Sequence, residues 1–193
     1  MKVLVGLASQ TLFKDYYKLE PGHVQMLTSF VSLPWDIKIV YGLVSDNVPI
    51  FGSKRRSYLI IGGLLQMVTM LVLASDTIES VNMATLMMML TSMSVAMNDV
   101  IVDSLMVIQS RRFPKDGSDE LQSWSWCCLA LGGIIGSIIA AILTENHHPS
   151  TCFAAASFTG LLIVYYALML HPDVECDDEE ESSNDESLWQ DVK

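Results

Sequence analysis

The chain has 193 residues, of which 51% are apolar and 17% charged, against about 25% charged in ordinary soluble domains. Its formal net charge of −11 belongs mostly to residues 173–193, which hold ten acids and one base. The body is apolar and weakly charged, which excludes a basic nucleic-acid-binding domain and a disordered body, and leaves a membrane protein with an acidic, disordered tail.

A helix that crosses a bilayer needs about 20 apolar residues. Residues 1–14 hold an apolar stretch of about half that length. It reads as the last turns of a first membrane helix rather than a signal peptide, because Ala8 and Ser9 sit inside the run and not after it. Residues 22–45 form a doubtful second span, interrupted by Pro34, Asp36 and Lys38. Pro34 lacks a backbone donor and predicts a kink there. Residues 57–75 carry no charge and make a clear third span. Residues 81–109 are long enough for a fourth, although they carry Asn98, Asp99 and Asp103. Their methionines, among them Met88 and Met97, read as adaptable packing. Residues 121–144 give a fifth span, in which Gly132, Gly133, Gly136, Ser137 and Ala140 predict a close-packing face. Residues 151–170 give a sixth. Cys127, Cys128, Cys152 and Cys176 show neither zinc-site nor disulfide-framework spacing. The three in apolar runs are expected to be buried thiols.

Loop charge sets the orientation. Lys54, Arg55 and Arg56 follow the second span, and Arg111, Arg112 and Lys115 follow the fourth. The loops after the third and fifth spans carry no Lys or Arg. Cytoplasmic loops carry the excess of basic residues, so both basic loops are expected in the cytoplasm, and the tail with them. The alternation works only if 22–45 is a real span. The expectation is an integral, multi-pass protein of the plasma membrane or of an organelle.

Charges inside a span are costly and are functional candidates. Asp99 and Asp103 are four residues apart and share one helix face, with Asn98 beside them. Two carboxylates on one face repel unless one is protonated or a cation is near. Such a pair serves proton coupling or substrate binding, or else caps the helix and pairs with loop arginines. Asp36 and Lys38 are two apart and do not face each other. Each therefore needs a partner elsewhere or a water-filled cavity; Lys38 meets Asp99 or Asp103 only if the two helices pack together. In the first basic loop, Gly42 allows a close helix approach, Asp46 can accept hydrogen bonds from a neighbouring helix end, and Pro49 and Gly52 make a turn. No Ser/His or Glu/His arrangement falls at helical spacing within a span, and His147 and His148 sit in a short outside loop. No enzyme activity, cofactor or metal is expected.

The string Pro34-Trp35-x-Ile37-Lys38, continued by Tyr41-Gly42-x-x-x-Asp46-x-x-Pro49-x-x-Gly52-x-Lys54-Arg55-Arg56-Ser57-Tyr58, resembles the folate-biopterin transporter family of the major facilitator superfamily. Asn98-Asp99-Val100-Ile101-Val102-Asp103 is similar to it too, as is Leu121-Gln122-Ser123-x-x-Trp126 followed by Gly132-Gly133. The likeness runs from about residue 3 to 172. It implies an all-α membrane protein, the N-terminal six-helix half, with an incomplete first helix, of a twelve-helix transporter that moves folates or pterins by alternating access. It further implies a gating loop of Gly42, Asp46, Gly52, Lys54, Arg55 and Arg56. Lys38, Asp99 and Asp103, with Asn98 and Asp36 as neighbours, would line or adjoin the substrate and coupling pathway. The implied partners are the lipid bilayer, a folate or pterin, and a second six-helix half. The size of the chain leaves an alternative: a non-transporting membrane remnant, or a half-transporter partner or regulatory subunit.

Overall fold

The computed structural model describes residues 2–48, 50, 55–75, 77, 78, 80–111, 117–146 and 149–170. Every regular element among them is a helix: α1 (Lys2–Thr11), α2 (Pro21–Asp36), α3 (Lys38–Asn47), α4 (Arg56–Ala74), α5 (Val81–Arg111), α6 (Gly117–Asn146) and α7 (Pro149–Met169). A π-helical turn, Leu12–Tyr16, prolongs α1. Among the described residues, five stretches are long and apolar enough to cross a membrane: Pro21–Asn47, Arg56–Ala74, Val81–Ser110, Ser118–Thr144 and Ser150–Met169. The acidic tail, His147, His148 and the stretch 112–116 lie outside the described residues.

The doubtful span is present as 27 helical residues, broken in the middle. The break falls at Ile37, whose backbone (φ −97°, ψ 13°) leaves the helical region. It comes three residues after Pro34, so the expected kink becomes a full separation of α2 from α3 and makes Lys38 the first residue of a new helix.

Two apolar clusters hold the bundle. One joins Leu4, Ala8 and Phe13 to Met70, Met88, Ala140 and Phe153, and so ties α1 and its π-helical turn to α4, α5, α6 and α7. The other packs Tyr58 and Leu59 of α4 against Met97, Ile101 and Ala167. Between the clusters α4 is wedged between α5 and α7. A Cβ at Gly62 would lie 2.9 Å from the Asn98 Cγ, and one at Gly160 would lie 2.8 Å from the Gly63 carbonyl oxygen. Glycine at these places lets backbones approach until polar groups cross the interface. The Ser94 hydroxyl donates to the Gly62 carbonyl. Thr69 and Thr91 hydroxyls meet at 2.7 Å, and Gln66 Nε2 donates to Thr159 Oγ1 at 2.7 Å.

The close-packing face expected on α6 is not a seam. Cβ atoms at Gly132, Gly133 and Gly136 would meet nothing within 4 Å, and only Ala140 of that stripe is buried. Cys152 on α7 is buried as expected, whereas Cys127 and Cys128 on α6 are exposed. Only 6% of the spanning window is buried in α6, and the same in α2–α3, against 50% in α4. These two are the peripheral helices of the bundle.

The first helix is anchored from the far end of α4. Tyr17 donates its hydroxyl to the Ile78 carbonyl at 2.7 Å, just before the chain turns through Lys18 at a positive φ of 51°. Burial, and after it the neighbouring Tyr16, hold the Tyr17 phenol above its ordinary range.

Candidate functional site

The site is a cleft of about 250 Å³ between α1, α2 and α5. Helical spacing builds its polar wall. Thr28, Ser32 and Trp35 stand four and three residues apart and share one face of α2; Thr91 and Ser92 face them from α5, and Ser9 and Gln10 from α1. Most of the hydroxyl protons are already spent on the chain's own carbonyls. Ser9 donates to Val5 at 2.6 Å, Thr28 to Val24 at 2.8 Å, Ser32 to Thr28 at 3.0 Å and Thr91 to Met87 at 3.0 Å. The oxygens of Ser9, Thr28 and Ser32 are left as acceptors, whereas that of Thr91 is shared with Thr69. Gln10 adds an amide that can accept and donate, and Trp35 adds an aromatic face. The arrangement suits a flat ring system rich in N–H donors.

Trp35 and Val95 are the last lining residues toward the basic-loop end of the bundle. One turn further on come Lys38, at the start of α3, and Asp99 on α5, whose Nζ and Oδ2 atoms are 3.6 Å apart. The Lys38 ammonium also lies 5.8 Å from the centre of a Trp35 ring. The packing that the sequence required for this pairing is therefore realised with Asp99. Asp103, a turn beyond, is within electrostatic reach of both, but its side chain opens on a separate cleft of about 220 Å³ between α5 and α6, with Ser110, Ser118 and Gln122. Asp36 is exposed and makes no ion pair among the described residues.

Asn98 faces α4 rather than the cleft. It is 6% exposed, pressed against Gly62, and neither its amide nitrogen nor its amide oxygen has a hydrogen-bond partner among the described residues. Its side chain does not join Lys38 and Asp99.

In the basic loop, Gly52 and Lys54 lie outside the described residues, as do Pro49 and Phe51. Gly42 packs as expected: a Cβ there would fall 2.9 Å from Val100 Cγ1 on α5. Arg55 is buried and donates from Nε to Ser104 Oγ at 3.1 Å, while one of its terminal nitrogens sits 3.5 Å from Asp46. Arg56 donates to the Leu168 carbonyl near the end of α7 at 3.0 Å. The loop thus ties α3, α4, α5 and α7 together. Arg55→Ala is expected to lower stability by about 1.5–3 kcal/mol, the worth of hydrogen bonds to a charged group. Asp46 is half-exposed, so Asp46→Asn is expected to cost less than about 1 kcal/mol. Thermal melts of the two variants in detergent check that order.

The sequence matches the BT1 family over residues 1–188. The chain belongs to that family. It is 37% identical over 194 residues to the folate-biopterin transporter of Synechocystis sp., covering 98% of this chain and 39% of that protein. It is 31% identical over 163 residues to folate transporter 1 of Plasmodium falciparum, covering 84% of this chain and 32% of that one. The chain therefore spans about two fifths of the first relative and about a third of the second. No solved structure matches it. The relatives' names denote transporters and not enzymes, and with five membrane-length helices the chain is an integral, multi-pass membrane protein.

Charged residues do not mark the cleft. Ser9, Thr28, Ser32, Thr91 and Ser92 are neutral and common in membrane helices, so singly they carry little signal. The signal was joint: hydroxyls and a tryptophan at four- and three-residue spacing on α2, with the adjacent hydroxyls of Thr91 and Ser92 opposite on α5.

Proposed function

We propose that this chain forms the N-terminal half of a carrier that moves folates or pterins across a membrane by alternating access, with the pteridine ring held in the cleft between α1, α2 and α5. One observation carries the reading: the cleft pairs hydroxyl acceptors with an aromatic face, which complements the N–H groups and flat π-surface of a pteridine. The family match and the relatives' names support the substrate class. The sparsely buried α2–α3 and α6 are where a second six-helix half would complete the enclosure, and rocking of one half against the other would expose the site to each side in turn. On this reading both basic loops and the tail are cytoplasmic, and residues 1–172 form the transmembrane unit.

Gly6 provides the test. It lines the cleft, yet a Cβ built there meets nothing within 4 Å. Gly6→Phe is therefore expected to fill the site while leaving the fold intact. Uptake of labelled folate or biopterin by cells expressing this chain together with its completing half should fall at least tenfold at equal membrane abundance. Unchanged uptake in Gly6→Phe places the substrate elsewhere and removes the reading.

A further inference from the structure

We propose that Lys38 is the residue that separates carboxylate-bearing ligands from neutral ones, with Asp99 as its built-in competitor. The inference rests on the reading of the cleft as the ligand site. The cleft measures about 250 Å³, below the roughly 300–1,000 Å³ of sites that enclose a drug-sized molecule. It can enclose a ring system, but an extended conjugate must project from it. At the Trp35–Val95 end such a projection meets Lys38 next, held over Trp35 at 5.8 Å.

Lys38 offers two positive features at one point. Its ammonium is a full charge, and it is the first residue of α3 after the break at Ile37, so the positive end of a helix dipole adds to it. Asp99 already places a carboxylate there, which shows what the point accepts. The hold is loose. The 3.6 Å separation exceeds the roughly 2.7–2.9 Å of a charge-assisted hydrogen bond. The two side chains are 41% and 40% exposed, and such pairs are worth about 0–1 kcal/mol. A ligand carboxylate brought in by a docked ring needs only a small advantage to take the place of Asp99. Arg55 and Arg56 are committed to Ser104, Asp46 and the Leu168 carbonyl. Lys14 stands one turn past Gln10, at the opposite end of the cleft, and is exposed; it serves as the internal control.

Binding of labelled folate, which carries a glutamate, and of biopterin, which carries no carboxylate, is measured on membranes containing the protein and its variants. Lys38→Met is expected to weaken folate at least tenfold and biopterin less than twofold. Asp99→Asn is expected to strengthen folate severalfold and leave biopterin unchanged. The double variant, which strands no charge, is expected to match Lys38→Met. Equal losses for both ligands in the double variant assign the pair a structural role and overturn the proposal. Loss of folate preference in Lys14→Met but not in Lys38→Met overturns it as well. If the unaltered protein binds neither ligand, the reading of the cleft fails and the proposal with it, an outcome distinct from biopterin binding that ignores Lys38.

Discussion

Gly160→Leu is expected to abolish the folded chain in the membrane, whereas Gly132→Leu and Gly136→Leu are expected to leave it intact. At Gly160 even a methyl would lie 2.8 Å from the Gly63 carbonyl oxygen and 2.9 Å from the Met67 nitrogen. Both are backbone atoms of α4, so no side chain can turn aside and the helices must separate. Overpacking alone costs about 1–3 kcal/mol. Separation of α4 from α7 would also release the Gln66–Thr159 bond and disturb the cluster that buries Tyr58, Leu59 and Ala167. At Gly132 and Gly136 the same side chain enters open space. Extraction into detergent followed by size-exclusion chromatography separates the cases: loss of a monodisperse peak for Gly160→Leu, retention for the other two. A monodisperse Gly160→Leu protein would show that α4 and α7 do not pack as described.

This contrast also marks where sequence pattern stops being informative. The stripe on α6 had the spacing of a helix seam, but spacing reports which residues share a face and not what the face meets. The true seams run through Gly62, Gly63 and Gly160, where glycine is common in membrane helices anyway and carries no distinguishing period. Hydropathy made the later spans legible, because a bilayer imposes length and apolarity directly. The span at 22–45 was legible only through the alternation of basic loops, since Pro34, Asp36 and Lys38 depress its hydropathy. Its division at Ile37 was not legible: Pro34 marks a weak point, and packing decides where the helix parts. Lys38 and Asp99 were each identifiable as misplaced charges. Their pairing depends on the register of α3 against α5, set by contacts such as Gly42 with Val100, which no local pattern encodes. The hydroxyl-lined cleft was encoded but faint, because most of its serines and threonines bond to their own helix and so resemble filler.

Asn98→Leu is expected to make the protein more stable and less active. Leucine has nearly the shape of asparagine, with methyl groups where the amide has oxygen and nitrogen. In the present arrangement both of those polar atoms are buried without a partner. Leaving a buried polar group unpaired costs about 1–3 kcal/mol, and replacing it with an apolar group of the same shape removes that cost. The melting temperature in detergent should therefore rise; a fall would mean that the amide is paired. If the chain is part of the proposed alternating-access carrier, the consequence for transport follows from the same energy. A carrier alternates between two arrangements, and a side chain unsatisfied in one favours the other if it finds a partner there. Removing the amide stabilises the present arrangement relative to the alternative by the same 1–3 kcal/mol, a shift of about 5- to 150-fold in population. Uptake by Asn98→Leu should fall by a factor in that range while the cleft still binds ligand. Asn98→Ala, which removes the amide but leaves a void, should lose uptake without the gain in stability. Normal uptake in both variants would confine Asn98 to packing between α4 and α5.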